Sequence, residues 1–286
     1  MKNPSPLIPS LPTNARSPIN RCNLPAVILG SRAFQDNPAP LVLDGVQELH
    51  VQLFDSLATV AEPATRALYF ADYMGSCFLL DNKEEAGFDP ASHGVRRHKA
   101  DYRRLLRGWM FSADSVEGAV LKRWVESRFG LLARNHGGPL RGFSSRLYER
   151  YQADYMRGLY NSNALESQLD LLYSYCQYEL QRQFAETHHW TLYRGVNRLD
   201  QLEILHGVRS GEQLVLLNNI NSFTRQWSVS DAFGDSILKA EVPLAKIFYF
   251  PGLLPHLLRG EEECLVIGGV YGVEISRTLT ADGHAG

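Results

Sequence analysis

The chain has 286 residues, 44% hydrophobic and 21% charged, enough to bury a large core, which excludes disorder, collagen-like repeats and small disulfide scaffolds. Its 29 Lys and Arg against 31 Asp and Glu give a net charge of −2, which argues against a dedicated nucleic-acid binder. The balance is uneven: Arg96 to Arg157 holds 14 basic and 6 acidic residues, a net +8, while the remainder, with 15 basic and 25 acidic, carries −10.

Eight of the fourteen prolines fall in the first 40 residues. They exclude long helices there and predict an extended arm over residues 1–42, laid on another surface and anchored by its apolar stretch Leu24–Leu29. Pro4, Pro6, Pro9 and Pro12 interrupt any secretory signal, and no apolar run in the chain approaches the roughly 20 residues of a membrane span. Cys22, Cys77, Cys176 and Cys264 form no CxxC pair and read as reduced, mostly buried thiols, so a cytoplasmic protein is expected.

Residues 43–186 read as a helical region. Apolar residues recur at intervals of three and four in Val46, Leu49, Leu53 and Leu57, and again in Leu165, Leu169, Leu172, Cys176 and Leu180. Glycine and proline predict breaks at Gly87–Gly94 and Asn135–Pro139. Beyond Thr187 the texture changes to short β-branched or aromatic runs between turn residues: Trp190–Tyr193, Gln213–Leu217, Ile237–Val242, Lys246–Phe250, Glu263–Ile267 and Val270–Val273. A helical part followed by a β-rich part over 187–286 makes an α+β protein, either as two domains or as one fused unit.

Three places in the β-rich part could carry chemistry. Arg194 stands near the end of a predicted strand and is followed by Gly195, which permits close approach to the backbone. Ser222-Phe223-Thr224 places two hydroxyls on one face of a strand, ahead of a short capped helix over Ser228–Phe233. Glu261, Glu262 and Glu263 lead into an apolar strand, with Glu261 and Glu263 on one face. Taken singly, each has a plain alternative: a surface arginine, a polar edge strand, a charged strand end. Two carboxylates on one face also suit a reaction that passes through a sugar cation. His188-His189 lacks companion ligands, and no metal is expected.

The order of the three, a strand-borne arginine, a Ser-x-Thr strand and Glu-x-Glu before a hydrophobic strand, resembles the Arg–Ser–Glu class of mono-ADP-ribosyltransferases. That class usually has Ser-Thr-Ser in the middle motif; here the outer hydroxyls are kept and the central one is lost. Pro18–Gly30, Glu117–Gly130 and Asn163–Leu171 further resemble the dinitrogenase reductase ADP-ribosyltransferases of nitrogen-fixing bacteria. The resemblance implies a β-rich, NAD-binding ADP-ribosyltransferase core over 187–286, with NAD consumed as the ADP-ribose donor and an arginine of dinitrogenase reductase as the acceptor. It further implies control by a PII signalling protein.

By the same resemblance Glu263 hydrogen-bonds the ribose and offsets its developing charge, Ser222 steadies that carboxylate, and Glu261 holds the target arginine. Arg194 takes the pyrophosphate and Gly195 the nicotinamide amide. Thr224 and Phe223 complete the NAD site, with Trp227 and Phe233 as further candidates to hold the nicotinamide ring. The turn Pro251–Gly260 is expected to meet the target protein, unless it packs on the core. Arginines of the +8 segment, outside the expected NAD site, either are solvated helix faces or dock an acidic partner. An NAD glycohydrolase, a transferase with another target and a non-catalytic binding module remain the competing readings.

Overall fold

The computed structural model describes residues 10–81, 100–160, 164–197, 199, 202–209, 211–255 and 262–277. It is an α+β protein in which most helices precede a six-stranded antiparallel sheet. The expected break at Gly87–Gly94 lies outside the described residues.

The described part of the arm has only short helices, a 3-10 turn at Thr13–Ala15, α1 (Ala26–Leu29) and α2 (Arg32–Asp36), as its prolines dictate. It lies along the end of a later helix, where Ser17 N donates to Gly130 O at 2.7 Å and Arg21 N to Arg128 O at 2.9 Å. The expected anchor is present: Leu29 is fully buried, and Gly30 O accepts from Val270 N at 2.8 Å.

The helical region comprises α3 (Val46–Leu49), α4 (Val51–Ala58), α5 (Pro63–Cys77), α6 (Tyr102–Phe111), α7 (Val116–Phe129), α8 (Arg146–Gly158) and α9 (Ala164–Gln183). The periodicity of α9 holds in full, since Leu165, Leu169, Leu172, Cys176 and Leu180 are all buried. The earlier repeat holds only partly: the helix is interrupted at His50, so Leu53 and Leu57 are buried while Leu49 is 77% exposed. Helices α5 and α9 are joined by a buried ion pair in which Arg66 Nε and Nη2 each lie 2.6 Å from Glu179. Asn135–Pro139 forms the expected break, with Asn135 bridged to Pro139.

The strands are β1 (His189–Val196), β2 (Glu203–Arg209), β3 (Glu212–Thr224), β4 (Ser236–Pro243), β5 (Ile247–Tyr249) and β6 (Glu263–Arg277), with α10 (Trp227–Asp231) between β3 and β4. Pairings of β1 with β3, β3 with β6, β6 with β4 and β4 with β1 close a ring. Two corrections concern continuity. Gln213–Leu217 and Asn221–Thr224 belong to one strand, β3, and the two C-terminal runs both belong to β6. The register of β3 and β6 shifts between Leu217 and Ile220, and glycine is required opposite the bulge because a Cβ on Gly268 would lie 1.7 Å from Asn218 O. The expected cap at Ser228 is also absent. Helix α10 starts at Trp227, and Gln226 precedes it without a side-chain cap.

Arm, helices and strands share one hydrophobic cluster that includes Leu29, Trp124, Tyr173, Leu192 and Ile267. Helix α9 is fixed to the sheet by polar contacts as well, with Gln177 Nε2 donating to Ile247 O at 2.8 Å and to Leu244 O at 3.1 Å. No helix among the described residues is long and apolar enough to cross a membrane.

Candidate functional site

The described parts of the three motifs meet in a cleft of about 470 Å³, within the size range of small-molecule sites. Strand register decides which side chains share it. On antiparallel β3 and β6, Thr224 stands opposite Glu263 and Ser222 opposite Leu265. Directly opposed side chains lie on the same face, so Thr224 is the cross-strand neighbour of Glu263 and Ser222 its diagonal neighbour. The alternation turns Phe223 and its partner Cys264 to the other face, where both are buried in the main cluster. Phe223 still contributes to the cleft wall.

Arg194 reaches the site from β1, and its Nη1 donates to Ser222 O at 2.8 Å. Among the described residues this is its hydrogen bond, and a guanidinium has five N–H donors, so donors remain to receive an anionic group. Burial lowers the Arg194 pKa, and the Glu263 carboxylate acts in the opposite direction.

The need for glycine at 195 has a structural cause. A Cβ there would lie 2.3 Å from Ser230 O and 2.9 Å from the Phe233 carbonyl carbon, so the glycine lets α10 and its following turn close onto β1. Thr224 Oγ1 accepts from Gln226 N at 3.2 Å and so shapes the chain entering α10.

The aromatic candidates separate. Phe233, 68% exposed, borders the cleft; Trp227 lines a different hollow with Tyr193, Lys239 and Glu274. Leu253 and Leu254 are buried, so that part of the expected target-facing turn packs on the core. Glu261 and residues 256–260 lie outside the described residues. His189 Nε2 is 2.6 Å from Gln35 O, and among the described residues no group of three His, Cys, Asp or Glu side chains could hold a metal.

One residue of the site is absent from the sequence reading. Trp109, near the end of α6, is 2% exposed, and its Nε1 lies 3.0 Å from Ser222 Oγ and 3.1 Å from Glu263 Oε1. The +8 segment therefore reaches into the cleft, contrary to its expected place outside the site. Helical spacing alone makes Trp109 a core residue, because Tyr102, Leu105, Leu106 and Trp109 form the buried stripe of α6. The available signal was chemical: a buried indole N–H requires an acceptor.

Behind Trp109 stands Lys122 of α7, 1% exposed, with Nζ 5.9 Å from the indole centroid, 2.9 Å from Asp114 Oδ1 and 3.3 Å from His136 Nδ1. Burial lowers the Lys122 pKa, Asp114 raises it, and Arg194 adds a smaller lowering. On the far side, His136 Nε2 lies 3.2 Å from Asp154 Oδ2.

The chain matches the dinitrogenase reductase ADP-ribosyltransferase (DRAT) family over residues 19–275. It is 38% identical over 259 residues to the NAD(+)--dinitrogen-reductase ADP-D-ribosyltransferase of Rhodospirillum rubrum, covering 90% of this chain and 94% of the relative. No solved structure matches it. The matched span runs from the arm into the final strand and takes in Arg194, Ser222 and Glu263, so the chain belongs to the dinitrogenase reductase ADP-ribosyltransferase family.

Proposed function

We propose that this chain transfers ADP-ribose from NAD to an arginine side chain of dinitrogenase reductase, releasing nicotinamide and inactivating nitrogen fixation. The supporting observation is the meeting of Ser222 and Glu263 at one indole N–H, in a cleft that also receives Arg194. Breaking the bond between ribose and nicotinamide places positive charge on the sugar, and a carboxylate fixed beside it offsets that charge. Glu263 takes this role, with Ser222 orienting it. The remaining donors of Arg194 suit the pyrophosphate, since charge-assisted guanidinium–phosphate bonds are strong and directional. Thr224 and the backbone at Gly195 belong to the same NAD-binding surface, and Phe233 at the cleft edge is suited to cover the nicotinamide ring, with Phe223 supporting from below.

The acceptor guanidinium stays protonated in water, with a pKa above ~12, and needs a base to become a nucleophile. We assign that role to Glu261. NAD is a consumed co-substrate, and the reaction as written calls for no metal. Control by a PII signalling protein and a cytoplasmic location belong to the same reading. The four free cysteines suit a reducing compartment.

The test is incubation of the protein with NAD labelled in its ADP-ribose part and with purified dinitrogenase reductase, followed by mass spectrometry of the reductase. Label on a reductase arginine is expected. Free ADP-ribose alone identifies a glycohydrolase, and absence of NAD cleavage a binding module. Glu263→Gln is expected to lower nicotinamide release more than ~100-fold, whereas Glu261→Gln should spare NAD cleavage and abolish transfer. Equal loss of both activities in Glu261→Gln overturns that division of roles.

A further inference from the structure

The geometry points to Trp109 as a positioning residue that ties Ser222 to Glu263 through a shared indole N–H and is itself pinned by Lys122. The inference rests on the transferase reading of the cleft and adds a fourth residue, from the helical part of the chain, to its three motifs.

An indole N–H can only donate. With Ser222 Oγ and Glu263 Oε1 at 3.0 and 3.1 Å, both must act as acceptors toward it. Two consequences follow. Ser222 is held with its lone pair toward α6, which leaves its hydroxyl proton for another acceptor. Glu263 receives a fixed donor on one oxygen, which restricts its rotation. A carboxylate that must offset charge on a sugar has to be aimed before the sugar arrives, and these two effects supply that aim.

The indole is in turn held in place. Trp109 is buried, and the Lys122 ammonium lies 5.9 Å from its ring centroid, within the range at which a cation is attracted to an aromatic face. Lys122 cannot easily leave, because Asp114 and His136 flank its Nζ and α7 is buried along most of its length. From the other side, Asn219 of β3 donates to Lys122 O at 2.7 Å and ties that stretch of α7 to the strand that carries Ser222. The helical region thus sets the orientation of the catalytic carboxylate through one side chain.

Trp109→Phe keeps an aromatic ring and removes the N–H. For a variant with an unchanged thermal melt, kcat for nicotinamide release is expected to fall about 10- to 100-fold, less than for a donor aimed directly at the reacting atoms because the indole acts through Glu263, while KM for NAD stays within about twofold. Combined with Ser222→Ala, the effects should be non-additive, with the double variant no slower than the slower single one. Lys122→Met should reproduce the kcat-selective loss, and it carries the test if Trp109→Phe fails to fold. Unchanged kcat in a folded Trp109→Phe, a loss confined to KM, or simple multiplication of the Trp109 and Ser222 effects overturns the assignment. A wild-type protein that releases no nicotinamide overturns the transferase reading itself, an outcome seen before any variant is measured.

Discussion

At the scale of single residues the site depends on small differences in chemistry between neighbours. Ser222 and Thr224 share a face, yet Ser222 Oγ meets Trp109 while Thr224 Oγ1 is engaged by the backbone of Gln226. The hydroxyl next to the Glu263 carboxylate and the one that shapes the following turn are therefore distinct. Gly195 is equally specific. Its missing Cβ leaves the space into which Ser230 O fits, and backbone atoms on both sides cannot yield cheaply. Gly195→Ala is expected to destabilise the fold by about 1–3 kcal/mol, the usual cost of overpacking, and to raise KM for NAD by displacing Phe233. A denaturant melt with NAD titration checks this, and an alanine variant equal to wild type in both would show that α10 is not held by this contact.

At the scale of elements, the connection between the sheet and the arm contains an unusual charge. Lys246 ends the 3-10 turn Leu244–Lys246, is 2% exposed, and donates to Gly268 O at 2.6 Å. Its Nζ lies over the rings of Tyr271, at 5.1 Å, and Phe34 of α2, at 5.6 Å. Burial pushes its pKa down to about 7 from 10.5. The folded protein therefore binds fewer protons than the unfolded chain between these values, and the contribution of this group to stability rises with pH from about 7 to about 10.5 and is flat outside that window. Relative to Lys246→Met, wild type should gain a few kcal/mol across that interval, read as the difference between two pH series of denaturant melts. A difference that does not vary with pH would show that Lys246 is charged or neutral alike in both states.

The elements also show where the sequence was legible. The α9 repeat is legible residue by residue because the stripe of Leu165, Leu169, Leu172, Cys176 and Leu180 is buried along the whole helix. The continuity of β3 was not, because Asn218 and Asn219 are turn formers in sequence. In the fold their side chains instead serve as clamps, with Asn218 Oδ1 accepting from Arg134 N and Asn219 Nδ2 donating to Lys122 O and Leu131 O. Strand β2, which includes His206 and Gly207, carries too little β-branched pattern to be read as a strand, and it forms through its pairing with β3.

At the scale of the whole molecule, charge segregation resolves into two populations. Lys122, Arg123, Arg128 and Arg134 are consumed in internal ion pairs with Asp114, Glu126, Asp170 and Glu203. By contrast, Arg146, Arg150 and Arg157 fall on one exposed face of α8, although Arg150 and Arg157 also reach Asp154. Phe143, 73% exposed, precedes that helix, and Met156, 65% exposed, lies on it. We propose that this face steers dinitrogenase reductase, because complementary charge mainly accelerates encounter and fixes orientation. Raising salt from 50 to 300 mM should then lower kcat/KM for the reductase severalfold while leaving nicotinamide release without acceptor unchanged, and Arg146→Glu/Arg150→Glu should weaken that salt dependence. Transfer insensitive to salt would remove the docking role and leave these arginines as a solvated face.

Features that are local or ordered along the chain can be read from it alone: the restriction to short helices among the early prolines, the α9 stripe, most of the strands, and the order of Arg194, Ser222 and Glu263 that points to the family. These are legible because backbone restriction, side-chain period and motif order are properties of neighbouring positions. The folded chain is needed to bring Trp109 to Ser222 and Glu263, to set Lys122 behind it and to fill the space at Gly195 with α10. Each depends on contacts between elements far apart in sequence. A buried tryptophan on an amphipathic helix has the same pattern whether its N–H faces a carbonyl in the core or a carboxylate in a cleft, and only the packing of α6 against β3 and β6 separates the two.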